Sequence, residues 1–196
     1  MPAQLSDRIL DTLKRASASL RDAGLPFALG GGLAGWARGG PPTDHDIDLL
    51  IRESDVDAAL AVLEAAGMRP ERPPEGWLVK AWDGDLGVDL IHHPFGMVVD
   101  DELFARCDEL SVGAIRMLVL PVEDLLTTKL LALNEQHLDF SSSLAHARAL
   151  REQIDWTGLA ERTRESPYAR AFMALARELG VATARPVEPV GQRGVA

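Results

Sequence analysis

Residues 27–51 read FALGGGLAGWARGGPPTDHDIDLLI, and they hold three consecutive glycines and three closely spaced aspartates. Gly30, Gly31 and Gly32 follow a short apolar run, PFAL, and precede a short helical pattern. Glycine lets backbone N–H groups approach a phosphate closely, and the start of a helix favours anions. The spacing matches neither a Walker A loop nor a GxGxxG dinucleotide motif. The stretch therefore predicts a phosphate-binding turn between a strand and a helix.

The aspartates in this stretch point to a cation site. Side chains alternate along a strand, so Asp46 and Asp48 share one face of the strand predicted from DIDLLI. Carboxylates about 7 Å apart on one pleat repel each other, and a divalent cation removes that repulsion. Asp44 has the same spacing but precedes the strand, so we leave it outside the predicted site. An isolated Asp-x-Asp is also typical of a solvated strand edge, but the neighbouring glycines favour the ligand interpretation.

A third carboxylate, Asp89, lies in the apolar run GVDLI. An ionised group inside an apolar strand needs a partner. If this strand lies beside DIDLL, then Asp46, Asp48 and Asp89 can all face one site. Three carboxylates can hold two metal ions, of which one activates an attacking oxygen and the other binds a leaving pyrophosphate. The sequence therefore predicts a two-metal site for Mg²⁺, with Mn²⁺ as a substitute.

The composition limits the functional classes. A chain of 196 residues, 46% of them hydrophobic, supports one domain, or one domain with a small helical appendage. The net charge of −10 argues against a basic surface for sequence-independent nucleic-acid binding, although it is compatible with a small basic pocket. The chain begins without a signal-peptide pattern, and its apolar runs stay below about 18 residues. We therefore expect a cytoplasmic protein with no membrane partner.

The periodicity predicts an α+β fold, in which a mixed β-sheet is flanked by helices and followed by a C-terminal helical half. The predicted strands are PFAL, DIDLLI, WLVKAW, LGVDLIHH and IRMLVLP, of which the third and fourth face each other across a turn at residues 83–85. Residues 1–120 form the predicted α/β core, residues 121–182 a helical region that completes a cleft, and residues 183–196 a flexible tail. The cleft between core and helical region is the expected ligand site.

A glycine pair, a short helix and Thr-x-Asp-x-Asp at the start of a strand resemble the polymerase-β-type nucleotidyltransferase superfamily, and GGGLAGWARGGPPTDHDIDLLI carries that signature. The resemblance implies a nucleotidyltransferase fold in which Asp46 and Asp48 bind two Mg²⁺ ions with the triphosphate of an NTP such as ATP. Asp89 suits the third carboxylate, which assists at the catalytic metal. The implied activity is transfer of NMP to a hydroxyl with release of pyrophosphate. The three glycines would hold phosphate, Thr43 would lie at the mouth of the site, and Arg38 is a further candidate phosphate contact.

The segment DLLTTKLLALNEQHLDFSSSLAHARAL, residues 124–150, is similar to the AbiEii and MenT toxin branch of that superfamily. That branch has a lysine in one helix and an acidic residue at the start of the next. The resemblance implies that Lys129 reaches the phosphates and that Asp139 is the acidic residue. Many relatives have Arg-x-Lys-Asp where this chain has Gln-His-Leu-Asp at residues 136–139, so the chain lacks a basic pair there.

Three functions follow as hypotheses. The first, which the resemblance of residues 124–150 favours, is a toxin-like enzyme that modifies the 3′ end of tRNA and that a cognate antitoxin would bind. The second is an enzyme that transfers NMP to a hydroxyl of a small molecule such as an antibiotic, and the third is an inactive nucleotide-binding relative. Among the histidines, His146 is expected on a helix surface. His92 and His93 end the Asp89 strand and are either metal ligands or hydrogen-bonded surface groups.

Overall fold

The computed structural model describes residues 5–43 and 46–182. Asp44 and the predicted tail at residues 183–196 lie outside the described residues. The helices and strands are, in chain order, α1 (Asp7–Asp22), β1 (Ala28–Leu29), α2 (Gly31–Ala37), β2 (Ile47–Leu50), α3 (Val56–Ala65), β3 (Arg69–Glu71), β4 (Leu78–Asp83), β5 (Leu86–Ile91), α4 (Asp101–Arg106), β6 (Asp108–Val112), β7 (Ile115–Val119), α5 (Val122–Leu131), α6 (Ser141–Leu150), α7 (Trp156–Arg162) and α8 (Pro167–Glu178). Short 3-10 turns occupy Glu53–Asp55 and Arg151–Gln153.

The strands form one mixed sheet of seven strands in the order β3-β4-β5-β2-β1-β7-β6. The pairs β2–β5 and β1–β7 are parallel, and the other neighbours are antiparallel. Burial alternates at the start of the central strand β2, as predicted. Ile47 and Leu49 are fully buried among apolar side chains, whereas Asp48, between them in the sequence, is only partly buried. The predicted α+β fold with a mixed sheet flanked by helices is confirmed.

Local sequence explains where the first helix begins and which face it buries. Ser6 is the N-cap of α1, and its side chain accepts a hydrogen bond of 3.3 Å from the Ile9 N–H. The helix buries Leu13 and Leu20 completely, at the spacing that places them on one face. This face belongs to the main apolar cluster, which also contains the buried residues of β2 and β5.

A second apolar cluster lies among the C-terminal helices and includes Leu126, Leu130, Leu159 and Phe172. The division of the chain into halves at residue 120 stays a prediction. Within the described residues, every helix is too short or too polar to cross a membrane.

An ionic contact fixes α5 relative to its neighbours. Asp124 is almost fully buried, and its carboxylate binds Arg106 of α4 at 2.6 Å and Arg162 of α7 at 2.5 Å. A buried carboxylate needs such charged donors, because an unpaired one would be strongly unfavourable. The contact therefore holds α5 in place, and with it Lys129 on the same helix.

Candidate active site

The glycine turn is packed directly against one of the predicted carboxylates. The Gly30 N–H donates to the Asp48 carbonyl at 2.8 Å, which ties the start of α2 to β2. Gly31 has a φ of +54°, and a Cβ added there would overlap the Asp48 carboxylate. Only glycine suits this position, since other residues rarely adopt that φ and would collide with Asp48. The predicted phosphate-binding turn and the predicted metal ligand therefore adjoin.

The sheet brings the three predicted carboxylates together. In the parallel pair of β2 and β5, Asp48 lies in register with Asp89. Asp46 directly precedes β2, and a Cβ added at Gly87 of β5 would lie 3.0 Å from its carboxylate. The Asp46 side chain is 45% exposed and that of Asp89 only 10%, so the group opens to solvent on the Asp46 side.

Lys80 of β4 binds this group of carboxylates. Its Nζ lies 2.7 and 2.8 Å from the two oxygens of Asp89 and 3.6 Å from Asp46 Oδ2. Burial alone would lower the pKa of Lys80, but the hydrogen bonds and charges of Asp89 and Asp46 outweigh it and raise that pKa. The ammonium group is therefore charged and partly neutralises the carboxylates.

Lys80 is not among the residues predicted for the site from the sequence. The signal was present in the predicted hairpin of β4 and β5, in which Lys80 pairs across the strands with Asp89. Cross-strand partners of this kind lie on the same face of a sheet.

The carboxylates perturb one another. Burial is the largest cause that raises the pKa of Asp48 to about 7, although this residue keeps some solvent access. The charges of Asp89 and Asp46 raise this pKa further, and those of Lys129 and Lys80 partly offset the increase. Burial also raises the pKa of Asp89, against the opposing effect of Lys80. The local charge distribution therefore favours an additional cation.

Lys129 reaches the same site from α5. Burial lowers its pKa, and the nearby charge of Asp48 opposes that shift. Its Nζ also donates to the Ser142 hydroxyl of α6 at 3.2 Å. Lys129 is therefore a partly buried ammonium group that faces Asp48 from the helical region.

A recess of about 230 Å³ adjoins Asp48 and Lys129, and we call it the apolar recess. Its lining residues are mostly apolar and come from the sheet, from the loop after β5 and from α5; they include Leu50, Trp77, Ile91, Phe95 and Leu125. The rings of Trp77 and Phe95 pack at a centroid distance of 6.1 Å, and 44% of Phe95 is exposed. A larger cavity, of about 660 Å³, lies beside Trp156 but contains none of the three carboxylates.

Thr43 and Arg38, two further residues predicted for the site, differ in their placement. Thr43 contacts the glycine turn, since a Cβ added at Gly32 would lie 2.7 Å from its Oγ1. The guanidinium of Arg38 instead donates to the carbonyls of Leu120 and Val119 at 2.7 and 2.9 Å and binds Asp108 at 2.8 Å. The structure therefore directs Arg38 to β7 and β6 rather than to the carboxylates.

Asp139 lies just before α6 and is exposed. Its Oδ1 accepts a hydrogen bond from the Ser141 N–H at 2.8 Å, and hydrogen bonds with the Ser141 side chain and with this N–H lower the pKa of Asp139. The structure gives it a local contact at the start of α6, and its predicted role at the nucleotide stays a prediction.

His146 differs from its expected place on a helix surface. Only 4% of it is exposed, and its Nδ1 lies 2.8 Å from the Ser142 carbonyl. A Cβ added at Gly35 of α2 would overlap its ring, so the missing side chain of Gly35 makes room for it. Its Nε2 has no hydrogen-bond partner among the described residues. His146 therefore packs α6 against the helix that follows the glycine turn.

Comparisons with known proteins concern the family and the fold of the chain. The model of a family described as "Uncharacterised nucleotidyltransferase" matches residues 6–185 of the chain. A search of curated proteins found no significant match. The chain resembles solved structures of low sequence identity, and this likeness concerns the fold.

Two of these structures are antibiotic-modifying enzymes. The lincosamide antibiotic adenylyltransferase LnuA with bound lincomycin has a TM-score of 0.54 and 13% identity, over 78% of this chain and 100% of LnuA. ANT(2'')-Ia in complex with adenylyl-2''-tobramycin has a TM-score of 0.51 and 16% identity, over 89% of this chain and 99% of that protein. A tRNA-processing enzyme has a TM-score of 0.42 and 13% identity, over 92% of this chain and 50% of that enzyme. The family model covers nearly the whole chain, and the chain therefore belongs to this nucleotidyltransferase family.

Proposed function

We propose that the protein transfers NMP from an NTP to a hydroxyl group in a reaction that depends on Mg²⁺. The observation that carries the proposal is the in-register pair of Asp48 and Asp89, which Asp46 joins from the same sheet and Lys129 faces from α5. Carboxylates beside a partly buried lysine are suited to a triphosphate and its metal ions.

The donor set fits Mg²⁺. Asp46, Asp48 and Asp89 offer hard oxygen ligands, and burial, followed by the charges of Asp89 and Asp46, raises the pKa of Asp48 to about 7, so a cation would relieve an unfavourable arrangement. When bound there, Mg²⁺ would neutralise charge on the phosphates and make the acceptor oxygen more nucleophilic.

The side chains of the protein have distinct tasks in this proposal. Lys129 binds phosphate oxygens, and the backbone of the glycine turn borders the same space. The acceptor oxygen forms a bond to the α-phosphorus while the bond to the pyrophosphate oxygen breaks. Asp89 accepts the hydroxyl proton, and Lys80 favours the ionised form of Asp89 through two hydrogen bonds.

For the acceptor, we favour a small molecule that carries an apolar or aromatic ring beside its hydroxyl. The apolar recess opens next to Asp48, and Trp77 and Phe95 offer it aromatic faces. Among the described residues that line it, Asp48 alone carries a carboxylate that would bind an ammonium group of a polycation. Uncharged ring compounds therefore suit the recess better than polyamines do.

The 3′ end of tRNA is a second candidate acceptor, as in a toxin-like enzyme with an antitoxin partner. The exposed ring of Phe95 beside Trp77 supports it, because unpaired bases stack on such aromatic groups. A terminal nucleotide needs only local contacts, which the net charge of −10 permits.

One experiment tests the activity and separates the acceptors. The protein is incubated with Mg²⁺ and each α-labelled NTP, with total tRNA in one arm and a panel of hydroxylated ring compounds in the other. We expect label transfer in one arm, and loss of transfer in Asp46→Asn but not in the matched control Asp11→Asn, whose carboxylate is exposed on α1. Transfer that persists in Asp46→Asn, or its absence in both arms, would contradict the proposed function.

A further inference from the structure

A second group of potential metal ligands lies at the opposite end of the same two strands. His92 and His93 directly follow β5, and Glu53 begins the short turn after β2. Because β2 and β5 are parallel neighbours, with the Ile51 N–H donating to the Ile91 carbonyl at 3.0 Å, both strands deliver these residues to one place. We call them the His–His–Glu cluster.

The cluster has distances suited to a small metal ion. His92 Nδ1 lies 2.9 Å from His93 Nδ1, and the other ring nitrogen of His93, Nε2, lies 3.3 Å from Glu53 Oε2. Each of the three residues offers one donor atom such that all three atoms lie within 4.8 Å of one another. Ligands of a tetrahedral zinc ion lie roughly 3.3 Å apart, because Zn–N and Zn–O bonds are about 2.0–2.2 Å long. Small rotations of these side chains would close the cluster around one ion.

The backbone beneath the histidines is fixed. The N–H groups of His92 and His93 both donate to the Trp77 carbonyl at 3.1 Å. Consecutive residues with their backbone held in this way lose less conformational freedom when their side chains bind an ion.

The cluster is separate from the active site. Asp89 lies three residues before His92 on the same extended chain, which corresponds to roughly 10 Å along a strand. The ligand chemistry also differs, since imidazole nitrogen suits zinc-like ions whereas Mg²⁺ prefers oxygen. One chain would therefore hold two kinds of metal, one beside Asp89 within β5 and the other just after the end of that strand.

We propose that Glu53, His92 and His93 bind one divalent transition-metal ion of the zinc class and leave a fourth position for water or another ligand. Two histidines and one glutamate form a recognised ligand set for zinc. The cluster also directly precedes residues 94–96, which include Phe95 of the apolar recess. A bound ion would therefore restrain the segment that carries one wall of that recess.

The test measures zinc binding by untagged protein that has been treated with a chelator. Zn²⁺ is titrated by calorimetry in excess Mg²⁺, which saturates oxygen sites. We expect one equivalent of Zn²⁺ to bind, and at least 10-fold weaker binding in His92→Gln, His93→Gln and Glu53→Gln, since even the loss of an outer partner of a metal ligand costs 10–100-fold. The exposed His137 supplies the matched control, and His137→Gln should bind as the unaltered protein does.

Asp46→Asn separates this proposal from the proposed function, because it should abolish nucleotidyl transfer and leave zinc binding intact. Circular dichroism checks that each variant is folded. Zinc binding that is lost in Asp46→Asn and unchanged in His93→Gln, or no zinc binding by the unaltered protein, would overturn the proposal.

Discussion

Asp48 of β2 and Asp89 of β5 lie side by side in a parallel pair, and both carboxyl groups have a raised pKa. Such buried carboxylates oppose folding, because burial disfavours their ionised forms and the charges of neighbouring carboxylates add to this effect. Lys80 offsets part of this effect through Asp89. The sheet therefore holds an arrangement that is unfavourable for stability and suited to binding a cation.

The first prediction concerns the cost of this arrangement. Asp48→Asn removes a carboxylate whose pKa is raised to about 7 by burial and by its neighbours. We expect a higher melting temperature in the absence of Mg²⁺, together with a loss of nucleotidyl transfer of at least 100-fold. Thermal denaturation and a label-transfer assay measure the two effects. A variant that is both less stable and fully active would contradict this account.

The second prediction concerns the glycine turn. Gly31→Ala would combine a positive φ with overlap on the Asp48 carboxylate, so we expect lower stability and loss of transfer. Gly39→Ala is the matched control, because its φ is +96° and an added Cβ there would meet no atom within 4 Å. The free energy of unfolding of the control should fall only by the cost of the backbone conformation, roughly 1–3 kcal/mol, and its specific activity should be unchanged. Equal effects of the two substitutions would show that the contact with Asp48 is unimportant.

The third prediction concerns Lys129. Lys129→Ala removes the ammonium that faces Asp48, and we expect kcat/KM for the NTP to fall by about 100-fold, as when one transition-state donor is removed. Lys129→Arg should keep part of the activity, because the guanidinium group supplies the same charge with a different shape. Lys14 is exposed on α1, and Lys14→Ala serves as the control. Unchanged kinetics in Lys129→Ala would exclude a phosphate contact.

The fourth prediction concerns pH. Burial is the largest cause that lowers the pKa of His146 below its ordinary value of 6.5, so the folded protein favours the neutral ring. His146 therefore binds a proton more readily in the unfolded chain than in the folded protein. The stability that comes from the neutral, buried ring is present above about pH 6.5 and is lost as the pH falls below it. We expect the drop in melting temperature between pH 7.5 and pH 5 to be smaller in His146→Leu than in the unaltered protein.

The exposed His137 provides the comparison for this pH effect. His137→Gln should show the same drop in melting temperature as the unaltered protein. A drop of equal size in all three proteins would mean that protonation of His146 does not contribute to acid instability.

The sequence predicted the central part of the molecule well because its signals are local and strong. The alternation in DIDLLI and GVDLI defined β2 and β5, and the register of their pairing unites the predicted carboxylates. The edge strands β3 and β6 gave no such signal. β3 is three residues long and contains Pro70, which is tolerated because an edge strand need not donate on both sides.

Two side chains near the site were missed for a different reason. Lys80 was left out of the predicted site, and only its cross-strand pairing with Asp89 assigns it to the carboxylates. His146 lies on an amphipathic helix and looked like a surface residue, but the absence of a side chain at Gly35 lets its ring be buried. Both depend on contacts between residues distant in sequence, which periodicity does not reveal.

Lys80 also determines how strongly the stability of the fold depends on dissolved ions. By binding both oxygens of Asp89 and approaching Asp46, it supplies a permanent counter-charge from within the chain. In a chain with an uncharged residue at this position, dissolved cations would have to neutralise these carboxylates instead. The stability of its fold would then vary with the ionic content of the medium. The cations that the proposed reaction needs would also be needed for folding.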